Sequence, residues 1–325
     1  MIPHRVKHRA VTLGRRVHAG LRRQPLGHVI GVTRRGVFVQ IEPRVIYLTA
    51  DQFRGPLTIN LDRALVSANG ETVRLTPTRL IFPAFEVDLS TAAVWRPAVQ
   101  ATARPIADQR ESLRQLATSV LTHQSPRVIP SATKNLQPKQ APQPVEIELP
   151  RRRSTAPRND MYPIENGCGA LLPHLLDLPE KQALSAGEAA LLAQLTQLRE
   201  ALSHDKFDRA ATLLEGLLGL GRGLTPSGDD VIIGLLLMLA HNRMNLFADG
   251  SDARKRFVGL AYERTTTISA NLIECAADGE ADERLITVVT GLVTGRPSIE
   301  DCAKCVLGWG SSSGVDALTG MAVAL

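Results

Sequence analysis

The sequence has few aromatic residues, few cysteines and no long apolar run. Phe, Trp and Tyr make up only 4% of the 325 residues, which argues against a protein that stacks single-stranded nucleic acid on aromatic side chains. The four cysteines (Cys168, Cys275, Cys302 and Cys305) are too few for a disulfide scaffold of this size. The longest apolar stretch, residues 231–240, is about half as long as a membrane-spanning helix. An integral membrane protein is therefore excluded.

The N-terminus also lacks the continuous apolar core of a secretory signal. It is rich in arginine, as a transit peptide can be, but strand-like sequence follows almost at once. With so few cysteines, these features predict a cytoplasmic protein. The hydrophobic fraction of 44% is typical of a globular chain, and the length predicts one large domain or two smaller ones.

Charge is distributed unevenly along the chain. Residues 1–165 contain 25 basic and 12 acidic side chains, whereas residues 166–325 contain 13 and 20. Such polarity raises the hypothesis of a nucleic-acid or acidic partner for the first half. The basic clusters Arg15-Arg16, Arg22-Arg23, Arg34-Arg35 and Arg151–Arg153 lack interleaved aromatics, however. We expect them to form a solvated or partner-facing surface, and the pattern argues against nucleic-acid binding.

The first 97 residues predict a small β domain. Segments 36–41, 44–49 and 56–61 are rich in β-branched and aromatic residues, and Gly, Pro and Asp punctuate them at short intervals. Pro77 marks an edge or a break in the strand-like sequence around it. We expect a mostly antiparallel sheet in residues 1–97. His4 and His8, the single pair with helical spacing, are expected to be solvated.

Residues 98–166 change character. One helix is predicted near residues 110–121, and after it the chain is loaded with Pro, Gln and Arg without apolar periodicity. That composition predicts a flexible connector. Residues 167–325 have helical periodicity, with capping-box patterns at Ser185–Glu188 and Ser298–Asp301. Further helices are predicted at 227–246, 253–276, 281–294 and 298–307. The fold class is therefore α+β.

The most informative segment is residues 219–230, GLGRGLTPSGDD, which leads directly into the apolar stretch 231–240. Alternating glycines free its backbone to bend sharply or to approach a ligand. Thr225, Pro226 and Ser227 are typical of a helix start. Amides and hydroxyls gathered there favour a phosphate or a carboxylate. The Lys-Ser/Thr pair of a Walker loop is missing, and a capped core helix behind a glycine turn explains the pattern equally well.

Asp229 and Asp230 complicate the anion hypothesis. Carboxylates in a first turn interact favourably with the helix dipole but repel an anion unless a cation intervenes. Mg²⁺ bridging an aspartate to a substrate oxygen would reconcile the two. The sequence identifies no metal ligand set, so Mg²⁺ stays a possibility without a defined site.

Two more segments carry polar motifs. Residues 308–320, GWGSSSGVDALTG, again place a small hydroxyl-rich loop and an acid, Asp316, at the start of an apolar helix. Two such loops make a joint anion pocket more credible, although a Gly/Ser loop alone is more often a turn. Residues 265–279 contain an unusual number of hydroxyls for a helix, and Thr265 and Ser269 share a face there. A polar helix face accounts for them equally well. The Cys302-x-x-Cys305 pair is interpreted as helix packing, because zinc needs two further ligands.

Together, residues 219–230, 265–283 and 308–320 resemble the AllH family, a subunit associated with oxamate carbamoyltransferase. The resemblance covers the last third of the chain. It implies a bacterial protein of anaerobic allantoin or purine catabolism that works with FdrA-like and AllG-like subunits. The associated reaction moves the carbamoyl group of oxalurate to phosphate. In the family's last motif a histidine usually stands where this chain has Ser311, and Arg222 stands where the glycine loop often has proline.

We therefore expect a subunit of a carbamoyltransferase that holds small anions at helix N-termini. The alternatives are a non-catalytic assembly subunit and, less favoured, a nucleic-acid-binding protein. Whether this chain is itself catalytic does not follow from the resemblance. The predicted catalytic residues are Asp229, Asp230 and Asp316. The predicted substrate-binding residues are Gly221, Arg222, Gly223, Thr225, Ser227, Gly228, Thr265, Ser269, Gly310, Ser311, Ser312, Ser313 and Gly314.

Overall fold

The computed structural model describes residues 6–21, 25–97, 102–124, 167–179, 181–244, 246–247 and 252–325. Most of the predicted connector, including Arg151–Arg153, lies outside these residues, as do His4 and Arg22-Arg23. The strands of the described chain are β1 (Val6–Gly14), β2 (Leu26–Val32), β3 (Gly36–Ile41), β4 (Arg44–Thr49), β5 (Thr58–Leu61), β6 (Thr72–Thr76), β7 (Arg79–Ile81), β8 (Phe85–Asp88) and β9 (Ala93–Trp95).

These strands form a closed barrel. The neighbour order is β5-β4-β3-β2-β6-β7-β8-β1, and β1 pairs again with β5, with Ala10 opposite Leu61. Strand β9 lies along the same edge of β1 as β8. Most pairings are antiparallel, as predicted, whereas β1–β8, β1–β9 and β4–β5 are parallel. The α+β class is confirmed, but the sheet closes on itself because β1 pairs along both of its edges.

Strand β1 overturns one expectation about the N-terminus. Its residues alternate between exposed and buried over much of its length, as in a strand with one face on a core. His8 is only 7% exposed, and its ring lies 5.2 Å from that of Phe85. The prediction that His8 is solvated is wrong, since the strand places this side chain inside.

Two helices accompany the N-terminal half of the described chain, α1 (Arg15–Gly20) and α2 (Ile106–Gln124). The C-terminal half is helical. After a 3-10 turn at Cys168–Leu171, its helices are α3 (Leu172–Leu175), α4 (Ala186–Ser203), α5 (Phe207–Glu215), α6 (Ser227–His241), α7 (Asp252–Arg264), α8 (Thr267–Ala276), α9 (Glu283–Thr294), α10 (Ile299–Gly308) and α11 (Ser313–Ala324).

Local capping signals set several helix starts. Ser185 forms the predicted capping box with Glu188, and the Ser298 hydroxyl accepts from the Asp301 N–H. The prediction of a single helix over residues 253–276 is wrong, because the helix is interrupted between α7 and α8. There the Thr266 hydroxyl accepts the N–H of Ser269 and starts a new helix.

Helix α6 is the centre of the helical core. Its residues from Ser227 to Leu239 are all buried. Helix α2 packs into the same core through Leu113, Leu116 and Val120, although the predicted division at residues 98 and 166 assigns it to the connector. The boundaries 1–97, 98–166 and 167–325 stay a prediction. Among the described helices, none has both the length and the apolar character needed to cross a membrane.

The barrel docks on the helical region through ion pairs. Arg16, only 8% exposed, donates to Glu280 at 2.7 Å and to Glu274 at 3.2 Å, and it also pairs with Asp278. Arg15 shares Glu280 at 2.5 Å. Part of the basic excess of the first half therefore faces acids of the second half inside the molecule. The expectation that Arg16 lies on a solvated surface is wrong.

Candidate functional site

The three polar motifs meet in space. The Thr225 and Ser313 hydroxyls, from the first and third motifs, are 3.1 Å apart. In the second motif, Thr265 donates to the carboxylate of Asp229, and Thr266 donates to the Leu224 carbonyl at 2.7 Å. Segments that are far apart in sequence thus form one continuous polar region.

A close crossing of α6 and α11 brings the first and third motifs together. A Cβ atom on Gly234 would lie 1.9 Å from the Ala317 carbonyl oxygen, and one on Gly320 would lie 1.9 Å from that of Val231. Because only glycine permits such an approach, these two residues fix the distance between the helices. The Thr225–Ser313 contact shows that both helices begin at the same end of the pair.

Asp229 is tied to the glycine turn. Its carboxylate accepts the N–H of Gly219 at 2.8 Å and the hydroxyl of Thr265. Gly219 has a positive φ of 73°, so the carboxylate holds a backbone conformation that other residues rarely adopt. Burial raises the pKa of Asp229 to about 6, and the Gly219 and Thr265 donors oppose a larger rise. Asp229 therefore fixes the conformation of the glycine turn from the buried side of the loop.

Asp316 is the fourth residue of α11, the position that Asp230 occupies in α6. One oxygen, Oδ1, accepts the Gly169 N–H at 2.7 Å, and the other, Oδ2, is buried without a hydrogen bond. Burial raises the pKa of Asp316 to about 6, while the hydroxyl of Ser227 acts in the opposite direction. Asp316 thus connects α11 to the 3-10 turn and faces the start of α6.

Asp230 has fewer hydrogen bonds than Asp229 or Asp316. It is 1% exposed, and both of its carboxylate oxygens are buried without a hydrogen bond. Burial raises its pKa well above the ordinary value, and the charges of Asp316 and Asp229 add to the rise. The hydroxyls of Ser313 and Thr225 lie near enough to oppose that rise in part, without reaching hydrogen-bonding geometry.

A cavity of about 260 Å³ lies between the barrel and the helical region, next to these motifs. Four helices begin at its edge, since Thr225 precedes α6, Ile268 is in the first turn of α8, Asp282 caps α9 and Ser313 starts α11. Helix N-termini carry partial positive charge and free N–H groups. The helical wall of the cavity is therefore suited to a negatively charged or carbonyl-rich ligand.

The opposite wall is apolar and comes from the barrel. It includes Phe38 and Tyr47, whose rings stack with centroids 4.6 Å apart, and Val45 and Leu57. Trp309, from the helical side, adds a third aromatic ring to the lining. The cavity thus has an apolar wall on one side and helix N-termini on the other, a combination typical of small-molecule sites.

Arg284 is the basic residue in the cavity lining, and it is held in place. Its Nε and Nη2 donate to the two carboxylate oxygens of Asp282 at 2.8 and 2.9 Å, and its Nη1 donates to the Gly308 carbonyl at 2.5 Å. The guanidinium also lies 4.7 Å from the centre of the Phe53 ring. The Nη1 and Nη2 atoms each keep one further N–H, and the guanidinium is held in a fixed orientation.

Residues 217–325 match the family described as oxamate carbamoyltransferase subunit AllH. This AllH segment contains all three polar motifs, and the resemblance seen in the sequence is confirmed over it. The barrel, including its wall of the cavity, lies outside the matched residues. No solved structure matches the chain.

The predicted site residues of the AllH segment fall into distinct groups. Thr225, Gly310 and Ser313 line the cavity. Arg222, Gly223, Ser311 and Ser312 are exposed outside that lining. The remaining predicted residues lie beneath the surface or against neighbouring backbone: Gly221, Ser227, Gly228, Asp229, Asp230, Thr265, Ser269, Gly314 and Asp316.

Two of the predicted binding glycines serve close packing. A Cβ atom on Gly228 would lie 2.2 Å from the Leu217 carbonyl oxygen, and one on Gly314 would lie 2.0 Å from that of Val306. Substitution at either position would push the start of its helix away from the preceding segment. Part of the AllH motif thus shapes the site without lining the cavity.

Sequence reasoning missed several residues of the cavity. Asp282 and Trp309 lie inside the quoted AllH motifs, and Arg284 directly follows one of them, so their proximity in sequence was the available signal. The barrel wall gave no such signal, since Phe38 and Tyr47 read as ordinary strand residues. Only the docking of the barrel on the helices places them opposite the motifs.

Asn271 ties the barrel to the AllH segment beside the cavity. Its side chain accepts the Val45 N–H at 2.7 Å and donates to the Tyr262 hydroxyl at 2.6 Å. It also donates to the Pro43 carbonyl at 3.3 Å. Because Asn271 is 1% exposed, these bonds fix how the strand β4 approaches helix α8.

No group of three or more His, Cys, Asp or Glu side chains among the described residues is arranged to hold a metal ion. The cysteines in this part of the chain are free thiols. Burial raises the pKa of Cys302 to about 12, which is characteristic of an inert packing thiol.

Proposed function

We propose that this chain is a subunit of an oxamate carbamoyltransferase-type complex and that the cavity between barrel and helices binds its small anionic substrates. The observation that carries the proposal is the convergence of all three AllH motifs beside one cavity at which four helices begin. The reaction is the transfer of the carbamoyl group of oxalurate to phosphate, giving oxamate and carbamoyl phosphate. Partner subunits of the FdrA and AllG types belong to this proposal.

The size of the cavity suits such substrates. Pockets for drug-sized molecules span roughly 300–1,000 Å³, and the cavity here, at about 260 Å³, falls just below that range. Oxalurate, oxamate and carbamoyl phosphate are small, planar or compact anions. The helix N-termini and Arg284 meet their charged groups, while the aromatic rings pack against their flat faces.

The polar residues have different roles in positioning the substrate. Thr225 and Ser313 present hydroxyls to the cavity, where they hydrogen-bond to a carboxylate or phosphoryl oxygen. Asp230 lies behind both hydroxyls and acts through them as a positioning residue. Asp229 and Asp316 hold the loop and the 3-10 turn in place. Catalysis in such a site comes from alignment and charge stabilisation rather than from a covalent enzyme intermediate.

The experiment measures carbamoyl phosphate formation from oxalurate and phosphate by the purified chain with its co-encoded partner subunits. Ser313→Ala should lower kcat/KM about tenfold or more, because one charge-assisted hydrogen bond contributes roughly 1.5–3 kcal/mol. Ser203→Ala is the matched control, since its hydroxyl is exposed on α4 and bonds to its own helix. Equal turnover by the two variants would refute the assignment of Ser313.

A non-catalytic assembly subunit is the second candidate. The packing roles of Gly228 and Gly314 favour it, because they show that close packing at the helix starts accounts for part of the motif. In that case oxamate and phosphate would not bind the isolated chain, and Ser313→Ala would leave turnover of the complex unchanged. Equilibrium binding monitored by the fluorescence of Trp309, which lines the cavity, distinguishes the two candidates.

A further inference from the structure

Helices α6 and α11 share four residues at matching positions near their starts. Ser, Gly, Asp and Gly occupy the first, second, fourth and eighth positions of each helix: residues 227, 228, 230 and 234 in α6, and residues 313, 314, 316 and 320 in α11. The eighth-position glycines make equivalent contacts, each with the backbone of the fifth residue of the opposite helix. The two helices are thus related by approximate two-fold symmetry about their crossing.

This symmetry pairs each serine with the aspartate of the other helix. Ser313 of α11 lies beside Asp230 of α6, and Ser227 of α6 lies beside Asp316 of α11. A Cβ atom on Gly167 would lie 3.2 Å from Ser227 Oγ and 3.1–3.3 Å from both Asp316 oxygens, which places that pair together. Two Ser–Asp pairs therefore lie near the starts of the two helices, and Asp230 and Asp316 are within electrostatic range of each other.

When all three aspartates at this point are ionised, the charges do not balance. Asp229, Asp230 and Asp316 are buried within electrostatic range of one another, and none of them has a basic side chain among the groups that shift its pKa. Two helix N-termini contribute roughly +0.5 each. Against three carboxylates, this leaves a deficit of about two positive charges.

Hydrogen bonding is also incomplete there. Asp229 has donors from Gly219 and Thr265, whereas both oxygens of Asp230 and Oδ2 of Asp316 are buried without any. Leaving buried carboxylate oxygens unpaired is costly, and in native proteins such groups are usually explained by a bound ion or water. The unpaired oxygens belong to the two aspartates that the symmetry places opposite each other.

We propose that Asp230 and Asp316 bind a Mg²⁺ ion between the N-termini of α6 and α11, with the hydroxyls of Ser227 and Ser313 as additional oxygen ligands. Mg²⁺ prefers oxygen ligands and is commonly held by only one or two carboxylates, with water or substrate oxygens completing its shell. Ser313 also lines the cavity, so an ion here can be reached by a substrate oxygen. The ion site stands on the chain's own oxygens and does not depend on the identity of the substrate.

The test uses the purified full-length chain without substrate or partner subunits. After EDTA treatment and its removal, Mn²⁺ binding is measured by electron paramagnetic resonance, and Mg²⁺ is added as competitor. We expect one Mn²⁺ per chain, displaced by Mg²⁺, and a Tm that rises with MgCl₂ but not with NaCl at equal ionic strength. Asp230→Asn and Asp316→Asn should each raise the Kd for Mn²⁺ at least tenfold.

Asp108→Asn is the matched control, because Asp108 is also in the first turn of a helix but is exposed. It should bind Mn²⁺ as the wild type does. In metal-free buffer the Asp230→Asn variant should have a Tm equal to or above that of the wild type, since the substitution removes an unpaired buried charge. If an Asn variant fails to fold, Ser227→Ala replaces it.

Absence of Mn²⁺ binding by the wild-type chain would overturn the proposal and leave a protonated Asp230 as the explanation of its burial. Unchanged Mn²⁺ affinity in the folded aspartate variants would overturn it as well. Neither result bears on carbamoyl transfer, which is measured separately with the partner subunits present.

Discussion

The hydroxyl oxygens of Thr225 and Ser313 lie 3.1 Å apart across 88 positions of sequence. Each hydroxyl belongs to the segment that starts a buried helix, and both line the same cavity. The contact therefore connects the two helix starts, and the hydroxyl that accepts in it keeps its own hydrogen to donate elsewhere.

Thr225→Val keeps the shape of the side chain and removes its hydroxyl. We expect the Kd for oxamate to rise about five- to tenfold, because a lost hydrogen bond weakens binding by roughly 1 kcal/mol. Trp309 fluorescence during an oxamate titration measures the change. Thr118→Val is the control, since the exposed Thr118 hydroxyl donates to the Arg114 carbonyl of its own helix at 2.9 Å. An unchanged Kd in Thr225→Val would show that this hydroxyl does not contact the ligand.

Gly320→Ala should disrupt the crossing of α6 and α11. The added Cβ would lie 1.9 Å from the Val231 carbonyl oxygen, so the helices must separate, which costs roughly 1–3 kcal/mol or more. Gly259→Ala is the matched control, because nothing lies within 4 Å of its added Cβ on helix α7. That control should stabilise the chain by about 0.5–1 kcal/mol. Urea unfolding followed by circular dichroism compares the two, and equal stabilities would contradict the close crossing.

Arg16→Leu should weaken the docking of the barrel. Arg16 is buried among Glu274, Asp278 and Glu280, and its removal leaves these acids without their central partner. Breaking a buried pair in this way destabilises a protein by about 3–5 kcal/mol. The control Arg79→Leu removes an exposed arginine 3.8 Å from Glu86, and it should cost less than about 1 kcal/mol. Denaturant midpoints of the two variants test the difference.

Glu283 should contribute stability that depends on pH. Burial alone would raise its pKa, but hydrogen bonds from Arg54 hold the pKa below its ordinary value of 4.5. A lowered folded pKa means that the contribution is complete above about pH 4.5 and is lost as the pH falls through the folded value. Because Arg54 and Glu283 are 43% and 27% exposed, the contribution is at most about 1 kcal/mol.

Glu283→Gln should therefore be less stable than the wild type at pH 7, and the difference should shrink to nothing at low pH. Glu300→Gln is the matched control, since Glu300 is also in the first turn of a helix but is exposed. Its stability should follow that of the wild type throughout. Thermal unfolding between pH 3 and 7 measures both, and a difference that persists at pH 3 would contradict the ion-pair assignment.

Local signals explain what could be predicted. Strands β3 and β4 begin and end where the runs of β-branched residues do, and the caps at Ser185 and Ser298 depend on residues three positions away. The motif at residues 219–230 could be placed at a helix start for the same reason. Each of these features is determined by neighbours in sequence.

The features that could not be predicted from the sequence depend on long-range contacts. The barrel closes because β1 pairs with β5, a contact that spans Ala10 and Leu61. Arg16 looks like a surface residue until its acidic partners, more than 250 positions later, are brought against it. The two walls of the cavity likewise come from opposite halves of the chain. Composition and periodicity carry no information on such pairings.

Because the cavity lies at the junction of barrel and helices, ligand binding and barrel docking are thermodynamically linked. A ligand that contacts both walls favours the docked arrangement. Any substitution that loosens docking must therefore weaken the binding of that ligand by the same coupling energy. Arg16 and Glu280 do not themselves line the cavity, but the Arg16 N–H donates to the carbonyl of Pro56, which does, at 3.1 Å. The affinity for a ligand that contacts both walls would therefore depend in part on ion pairs outside the cavity lining.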